Sequence, residues 1–149
     1  MSKSISPTAT VYRAIGKKWW VKNGEVAPDA FFLRPVQNDK PAETMLSMLT
    51  EANCSKEICF AGLNDCSGEL EIKVESVEEI RLESIEEFRL ESVEEFRLEI
   101  IDDSEELNIP YHASILNLPQ HEGDTFAQAE FLAGELAKRV IRINPRQKF

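Results

Sequence analysis

The three cysteines, Cys54, Cys59 and Cys66, are the residues whose spacing could most directly form a metal site. Their C-x4-C-x6-C spacing contains neither the C-x2-C pairs of structural zinc sites nor the C-x4-C-x2-C run of plant-type iron–sulfur proteins. An odd cysteine count, with no apolar signal segment at the start, is typical of a reduced cytoplasmic chain. The sequence therefore predicts no metal, no cofactor and a cytoplasmic location, with Cys59 as a small buried apolar residue.

Acid–base chemistry has few candidate side chains, because the chain contains only two histidines, His112 and His121. His112 lies in an apolar stretch, where a histidine is more often a hydrogen-bonded core residue than a general base. Arg13 and Arg34 lie within or just after apolar stretches, so each is expected either to point into a cleft or to cap a sheet edge. The sequence has no nucleophile elbow, phosphate-binding loop, dinucleotide fingerprint or H-E-x-x-H motif, so it identifies no catalytic residue.

The aromatic pair Trp19-Trp20 is flanked by Lys17, Lys18 and Lys22, the densest combination of cations and rings in the chain. One interpretation is a nucleotide site, in which a base stacks on a ring and the lysines contact phosphates. The other is structural, with one Trp in the core and the other half-exposed beneath lysine side chains. We favour the structural interpretation.

The charge of the chain is strongly negative and unevenly distributed. Lys and Arg number 17 against 27 Asp and Glu, which gives a net charge of −10. Such a balance argues against a nucleic-acid partner, because phosphate neutralisation needs a basic surface. No run of about 18 apolar residues is present for crossing a membrane. Residues 68–107 carry a net charge of −12 and the remainder +2, so the acidity belongs to one segment.

Three tandem octapeptides occupy this acidic segment from Glu75 to Leu98, with the sequences ESVEEIRL, ESIEEFRL and ESVEEFRL. In a helix each copy would rotate its apolar side by about 80°, whereas in a strand each copy would keep its facing. Their Glu, Arg and Leu content favours helix, so both conformations stay open. A compromise is a helical turn at Ser-Val-Glu-Glu followed by an extended piece. We expect a solvated excursion whose Phe88 and Phe96 form a contact surface for another protein.

The remaining patterns predict an α+β fold: a single small domain over residues 1–149, with a mixed sheet, a helix near the middle, a C-terminal helix and the inserted repeat segment 75–98. Period-two alternation or short apolar runs predict strands, and near-helical spacing predicts helices. The predicted strands are Thr10–Ile15, Trp19–Val21, Ala30–Leu33, Ile58–Leu63, Leu70–Val74, Leu98–Ile101 and Tyr111–Leu118, and the predicted helices are Pro41–Ala52 and Asp124–Ile143.

The succession VYRAI, FFLRP, CFAG, SVEEIRL and HASILNLP resembles a family of short bacterial proteins of uncharacterised function. The resemblance covers most of the chain outside repeat copies two and three, and it implies a single-domain α+β fold without implying an activity. The VYR opening is also similar to that of RES-domain toxins, which degrade NAD and act with an antitoxin. That similarity implies an alternative function, an NAD-consuming enzyme with Arg13 and His112 in a cleft.

Together these observations predict a small cytoplasmic interaction or accessory protein, without catalysis of its own, whose partner is another protein bound through the acidic repeats. We also predict that the chain folds after deletion of residues 83–98, because one copy is enough to connect the flanking strands and long surface insertions cost little loop entropy.

Overall fold

The computed structural model describes residues 3–34, 41–50, 67–80, 98–109, 111–121 and 123–145. Its main feature is a seven-stranded sheet in the order β1-β7-β8-β5-β2-β6-β9, in which every described pairing is antiparallel. Two further strands, β3 and β4, form a separate hairpin. The strands are β1 Lys3–Ser4, β2 Thr10–Ala14, β3 Val21–Lys22, β4 Glu25–Val26, β5 Leu46–Leu49, β6 Gly68–Lys73, β7 Glu99–Asp102, β8 His112–Leu116 and β9 Arg142–Pro145.

Three α-helices accompany these strands in the described part of the chain: α1 Val74–Glu78, α2 Ser104–Leu107 and α3 Phe126–Lys138. Short 3-10 turns cover Lys18–Trp20, Pro28–Phe31 and Gly123–Thr125. None of the helices in these ranges has the length and apolar character needed to span a membrane.

The core lies between one face of the sheet and helix α3. Alternate strand residues such as Val11 and Ile72 are fully buried, as are Leu132 and Leu136 on the helix. The 3-10 turn Pro28–Phe31 packs against α3 and contributes its own buried residues to the same cluster. Burial of these apolar side chains is the main favourable contribution to folding, as in any domain of this size.

The β3–β4 hairpin follows directly from the dipeptide Asn23-Gly24. Both residues have positive φ angles, 54° and 78°, as a two-residue type I′ turn requires. The pairing of Val21 with Val26 and of Lys22 with Glu25 then fixes the register.

The predicted α+β class is confirmed, as are the strands expected near residues 10–15, 70–74, 98–101 and 111–118. The helix expected over Pro41–Ala52 is wrong, because Leu46–Leu49 forms strand β5 between β8 and β2. In β5 the buried Leu46 and Met48 flank the exposed Ser47, as in a strand, but the apolar Met45 and Leu49 next to this alternation give the segment near-helical spacing. The sheet is antiparallel in its described pairings rather than mixed, and the strand predicted at Ile58–Leu63 lies outside the described residues.

Three other local predictions need correction. Trp19–Val21 is not a strand, since a 3-10 turn covers Lys18–Trp20 and strand β3 begins only at Val21. Ala30–Leu33 is not a strand, since the 3-10 turn Pro28–Phe31 occupies its first half. The C-terminal helix ends at Lys138 rather than at residue 143, and Arg142–Pro145 instead forms the edge strand β9 against β6. In the last two places Pro and apolar residues fit several conformations, and tertiary packing selects one.

The first repeat copy is part of the folded body. Helix α1 covers the Ser-Val-Glu part of that copy, and its Val77 is completely buried. Ile80 and Leu98, each 1% exposed, belong to the core cluster, and β7 begins immediately afterwards at Glu99. The described part of the first copy, residues 75–80, is therefore structural rather than a solvated excursion, and the last residue of the third copy, Leu98, is also in the core.

Candidate functional site

Arg13, in strand β2, contacts three other elements: the 3-10 turns that contain Trp20 and Ala30, and strand β5. Its Nε donates a hydrogen bond to the Ala30 carbonyl at 3.0 Å, and its Nη1 donates to the Ser47 carbonyl at 2.8 Å. The guanidinium also lies over the Trp20 ring, 5.4 Å from the ring centroid. Burial lowers the pKa of Arg13 to about 10, an effect that the nearby Glu43 carboxylate partly opposes.

The two tryptophans differ in environment. Trp20 is partly buried and packs against the core, whereas Trp19 is 60% exposed and meets Trp20 edge to face at a centroid distance of 6.4 Å. Lys17, Lys18 and Lys22 are exposed around them. The structural interpretation expected one Trp in the core and the other beneath lysine side chains. In the structure neither ring is fully buried, and the cation over Trp20 is Arg13 rather than a lysine.

Arg34 and Glu43 connect the segments that lead to and from residues 35–40. The Arg34 amide donates to Glu43 Oε1 at 2.6 Å, and the Glu43 amide donates to the Arg34 carbonyl at 2.9 Å. Gln120 donates from Nε2 to the Glu43 carbonyl. Glu43 and Gln120 are not among the residues predicted from the sequence, because a lone Glu and a lone Gln in polar stretches carry no spacing signal.

His121 is stacked between two phenyl rings. Its ring lies 3.7 Å from Phe32 and 4.1 Å from Phe126, measured between centroids, at interplanar angles of 15° and 23°. Its Nε2 is buried without a hydrogen bond and lies 3.8 Å from Glu130 Oε1. From the sequence alone, His121 is expected in a loop and has no predicted role.

A buried polar network lies where β7, α2 and β8 meet. The Asp103 carboxylate accepts a hydrogen bond from Ser114 Oγ at 2.6 Å, and its other oxygen lies 2.6 Å from His112 Nδ1. Asp103, His112 and Ser114 are 3%, 8% and 1% exposed. Residues 112 and 114 share a face of β8, and the β7–β8 pairing brings Asp103 beneath them.

This network does not have the geometry of a nucleophilic triad. In such a triad the serine donates to the histidine, which the carboxylate orients from the other side. Here Ser114 donates to Asp103 itself, so the carboxylate lies between the two groups and the hydroxyl is not activated by a base. The network satisfies buried polar groups, which is the role expected for His112 from its apolar neighbourhood.

Strand register places Arg13 and His112 on opposite faces of the sheet. Tyr12 pairs with Leu49, and Leu49 pairs with His112, so these three side chains share one face. Arg13 follows Tyr12 in β2 and points to the other face. The two candidate catalytic residues therefore do not line a common cleft.

The other candidate residues are Phe88, Phe96 and the three cysteines, and all of them lie outside the described part of the chain. Within the residues that the structure describes, no group of His, Cys, Asp and Glu side chains is arranged to hold a metal ion. A cleft of about 530 Å³ lies between the β3–β4 hairpin, the end of α3 and β9, and none of the described candidates lines it. Comparison with family models, curated proteins and solved structures gave no match.

Proposed function

We propose that this chain is a small cytoplasmic interaction or accessory protein that binds another protein through its acidic repeat segment, residues 75–98, without catalysis of its own. The observation that carries the proposal is the separation of charge, with −12 in residues 68–107 and +2 in the rest. A cluster of like charge steers association toward a partner of opposite charge. The partner surface is therefore expected to be basic.

The anchoring of the repeat array in the core supports this proposal. Val77 and Ile80 at its start and Leu98 at its end are buried, so the array is attached to the body at both ends. Copies two and three add six Glu and two Arg, a net charge of −4, together with Phe88 and Phe96. Acidic side chains interleaved with aromatic anchors suit a basic, partly apolar partner surface.

Three forms of the full chain test the role of the repeats. The first is the natural sequence, the second lacks residues 83–98, and the third keeps the length but replaces the six Glu of residues 83–97 by Gln. We expect a partner captured from the source cells by the natural chain to be lost from both variants. Binding of the purified partner should also weaken steeply between low and high salt, because exposed charges are screened. An unchanged partner list for the deletion variant contradicts the proposal.

The NAD-consuming alternative has less support from the described residues. Arg13 donates to two main-chain carbonyls, and His112 is bound to Asp103 on the opposite face of the sheet. We expect no loss of NAD on incubation with the purified protein. Measurable turnover that Arg13→Lys abolishes, in a variant that remains folded by circular dichroism, would establish the enzyme instead.

A further inference from the structure

Trp19 is the most exposed of the large apolar side chains in the described part of the chain, at 60%. Lys17 and Lys18 precede it at a 3-10 turn, Lys22 follows on strand β3, and all three lysines are exposed. The Trp20 amide donates a hydrogen bond to the Lys17 carbonyl at 3.1 Å, so the turn keeps these residues close together. We call Lys17, Lys18, Trp19 and Lys22 the Trp19 patch.

The ring of Trp19 rests on a fixed base. It meets Trp20 edge to face, with 6.4 Å between the ring centroids, and Trp20 lies under the guanidinium of Arg13. Two main-chain carbonyls hold that guanidinium at 3.0 and 2.8 Å. A side chain that is positioned before binding loses little conformational entropy when a partner covers it, and tryptophan is enriched among the residues that contribute most to protein–protein binding. Trp19 is therefore suited to anchor a partner.

The lysines of the Trp19 patch have no carboxylate within 4 Å in the described ranges, although Asp and Glu outnumber Lys and Arg by 27 to 17. Glu25 is opposite Lys22 in the hairpin register without forming such an ion pair. By contrast, the exposed Lys3 lies 3.5 Å from Glu105. An anionic partner therefore meets cations at the patch that need not first leave another carboxylate.

The acidic repeats carry the two kinds of group that the Trp19 patch can bind. Residues 83–97 contain six Glu, and a Glu-Glu pair stands directly before both Phe88 and Phe96. Carboxylates pair with lysines, and phenyl rings pack against an indole ring. The proposed function calls for a basic, partly apolar surface on the partner, and the Trp19 patch of a second copy has that composition.

The net charge of −10 does not prevent two copies from meeting in this way. Repulsion between exposed charges is screened beyond about 8 Å at physiological salt. The residues outside 68–107, which include the Trp19 patch, carry a net charge of +2. The acidic segment of one copy therefore approaches a part of the other copy that does not repel it.

We infer that the partner of this chain is a second copy of itself, in which the acidic repeat segment of one copy binds the Trp19 patch of the other. The inference rests on the proposed function, because it names the partner of the same repeat segment. Glu side chains of the repeats pair with the three lysines, and a repeat Phe covers Trp19. Since every copy carries both surfaces, two copies related by a two-fold axis make this contact twice.

Sedimentation equilibrium of the full chain tests the inference. We expect a dimer in about 0.15 M salt whose dissociation constant rises at least about tenfold in about 1 M salt, because exposed charges are screened. The patch variant combines Lys17→Gln, Lys18→Gln and Trp19→Ser, and the repeat variant replaces the six Glu of residues 83–97 by Gln. Each should weaken the dimer at least about tenfold.

A matched control separates the Trp19 patch from overall charge and exposed apolar area. It combines Lys3→Gln, Lys73→Gln and Ile109→Ser, which remove two exposed lysines and one exposed apolar side chain outside the patch. This control should dimerise as the natural chain does. Circular dichroism reports the folding of every variant, and Trp19→Ser alone provides the same test should the triple variant fail to fold.

A mixing experiment tests which surfaces meet. The patch variant keeps its repeats and the repeat variant keeps its patch, so neither pairs with itself through this contact. An equimolar mixture retains one of the two contacts and should associate more tightly than either variant alone. A mixture that associates no better than its components overturns the inference.

Other outcomes separate this inference from the proposed function. A natural chain that stays monomeric up to about 1 mM overturns the inference, and the proposed function still stands if a partner captured from cells is lost when residues 83–98 are deleted. A dimer that the patch variant and its matched control weaken equally also overturns it. So does a monomer whose tryptophan fluorescence ATP quenches in the natural chain but not in the patch variant, since the patch is then a nucleotide site.

Discussion

Asp103 joins strand β7, helix α2 and strand β8 through one buried carboxylate. One of its oxygens accepts a hydrogen bond from the Ser114 hydroxyl at 2.6 Å. The other oxygen lies 2.6 Å from His112 Nδ1. Buried polar groups cost free energy unless they are paired, so these contacts depend on each other. At the residue scale this network explains how a histidine is accommodated within an apolar strand.

Replacing Asp103 by Ala is expected to destabilise the protein by about 3 kcal/mol, because the His112 ring nitrogen and the Ser114 hydroxyl both lose their buried partner. Urea denaturation at pH 7 measures the change in the free energy of unfolding. Asp103→Asn is the matched control, since it keeps the shape and one acceptor oxygen and should cost less. A loss below about 1 kcal/mol for the alanine variant would show that the network contributes little.

Asp102 gives the fold a contribution that depends on pH. Hydrogen bonds from the Ser104 hydroxyl and amide, at 2.6 and 3.0 Å, lower the pKa of Asp102 below its usual 3.8. A carboxyl group whose pKa is lowered by folding stabilises the native state above the unfolded pKa. The contribution is lost as the pH falls through the lower pKa of the folded state.

Ser104→Ala should therefore be less stable than the natural chain by about 1 kcal/mol at pH 7, because the charged carboxylate loses its hydroxyl donor. The difference in stability should shrink as the pH falls below 3.8, because protonation of Asp102 removes the charged carboxylate that Ser104 stabilises. Denaturant titrations at several pH values measure it. A difference that stays constant across this range would rule out Asp102 as its source.

Gly68 shows how one element depends on close backbone contact. It starts strand β6 opposite the edge strand β9, and a Cβ at this position would overlap the carbonyl oxygen of Asn144. Only glycine allows β9 to approach β6 at this register.

We expect Gly68→Ala to cost about 2 kcal/mol, because the overlap involves backbone, which yields less easily than a flexible side chain. Thermal unfolding compares this variant with Gly134→Ala, which should gain up to about 1 kcal/mol since its Cβ meets nothing and alanine favours helix. We therefore expect Gly68→Ala to lower the thermal stability and Gly134→Ala to raise it. A neutral Gly68→Ala would mean that β9 shifts at little cost.

The attachment of the repeats makes a prediction for the whole molecule. Deletion of residues 83–98 joins Leu82 to Glu99, so Leu82 takes the sequence position of Leu98 before strand β7. α1 already packs against β7 and buries Val77, so the first copy supplies the connection. We expect the shortened chain to unfold cooperatively with a stability within about 1 kcal/mol of the natural chain.

Circular dichroism and denaturant unfolding of the shortened chain measure this outcome. A control deletion of residues 84–98 removes one residue fewer and leaves an extra residue before β7. Because a one-residue shift turns every side chain of a strand to the other face, this control should be less stable than the in-register deletion. Non-cooperative unfolding of the in-register deletion would show that copies two and three are needed by the core.

How much of the fold the sequence predicts depends on the element. Strands such as Leu70–Val74 alternate strictly between apolar and polar residues, and the dipeptide Asn23-Gly24 allows few turns other than type I′, so local physics is enough there. Leu46–Leu49 and Ala30–Leu33 carry apolar residues that suit a helix, a strand or a turn. Their conformations are chosen by the neighbouring strands and by α3.

The candidate sites also combine features that the sequence determines with features that only the tertiary structure decides. The amino-acid sequence alone determined the α+β class, the octapeptide periodicity and the confinement of negative charge to residues 68–107, because composition and spacing are local properties of the chain. Only the tertiary structure placed Arg13 and His112 on opposite faces, put Asp103 beneath Ser114 and left a cleft beside Gly134. These arrangements come from strand order and register, which bring together residues distant in sequence and which no local pattern encodes.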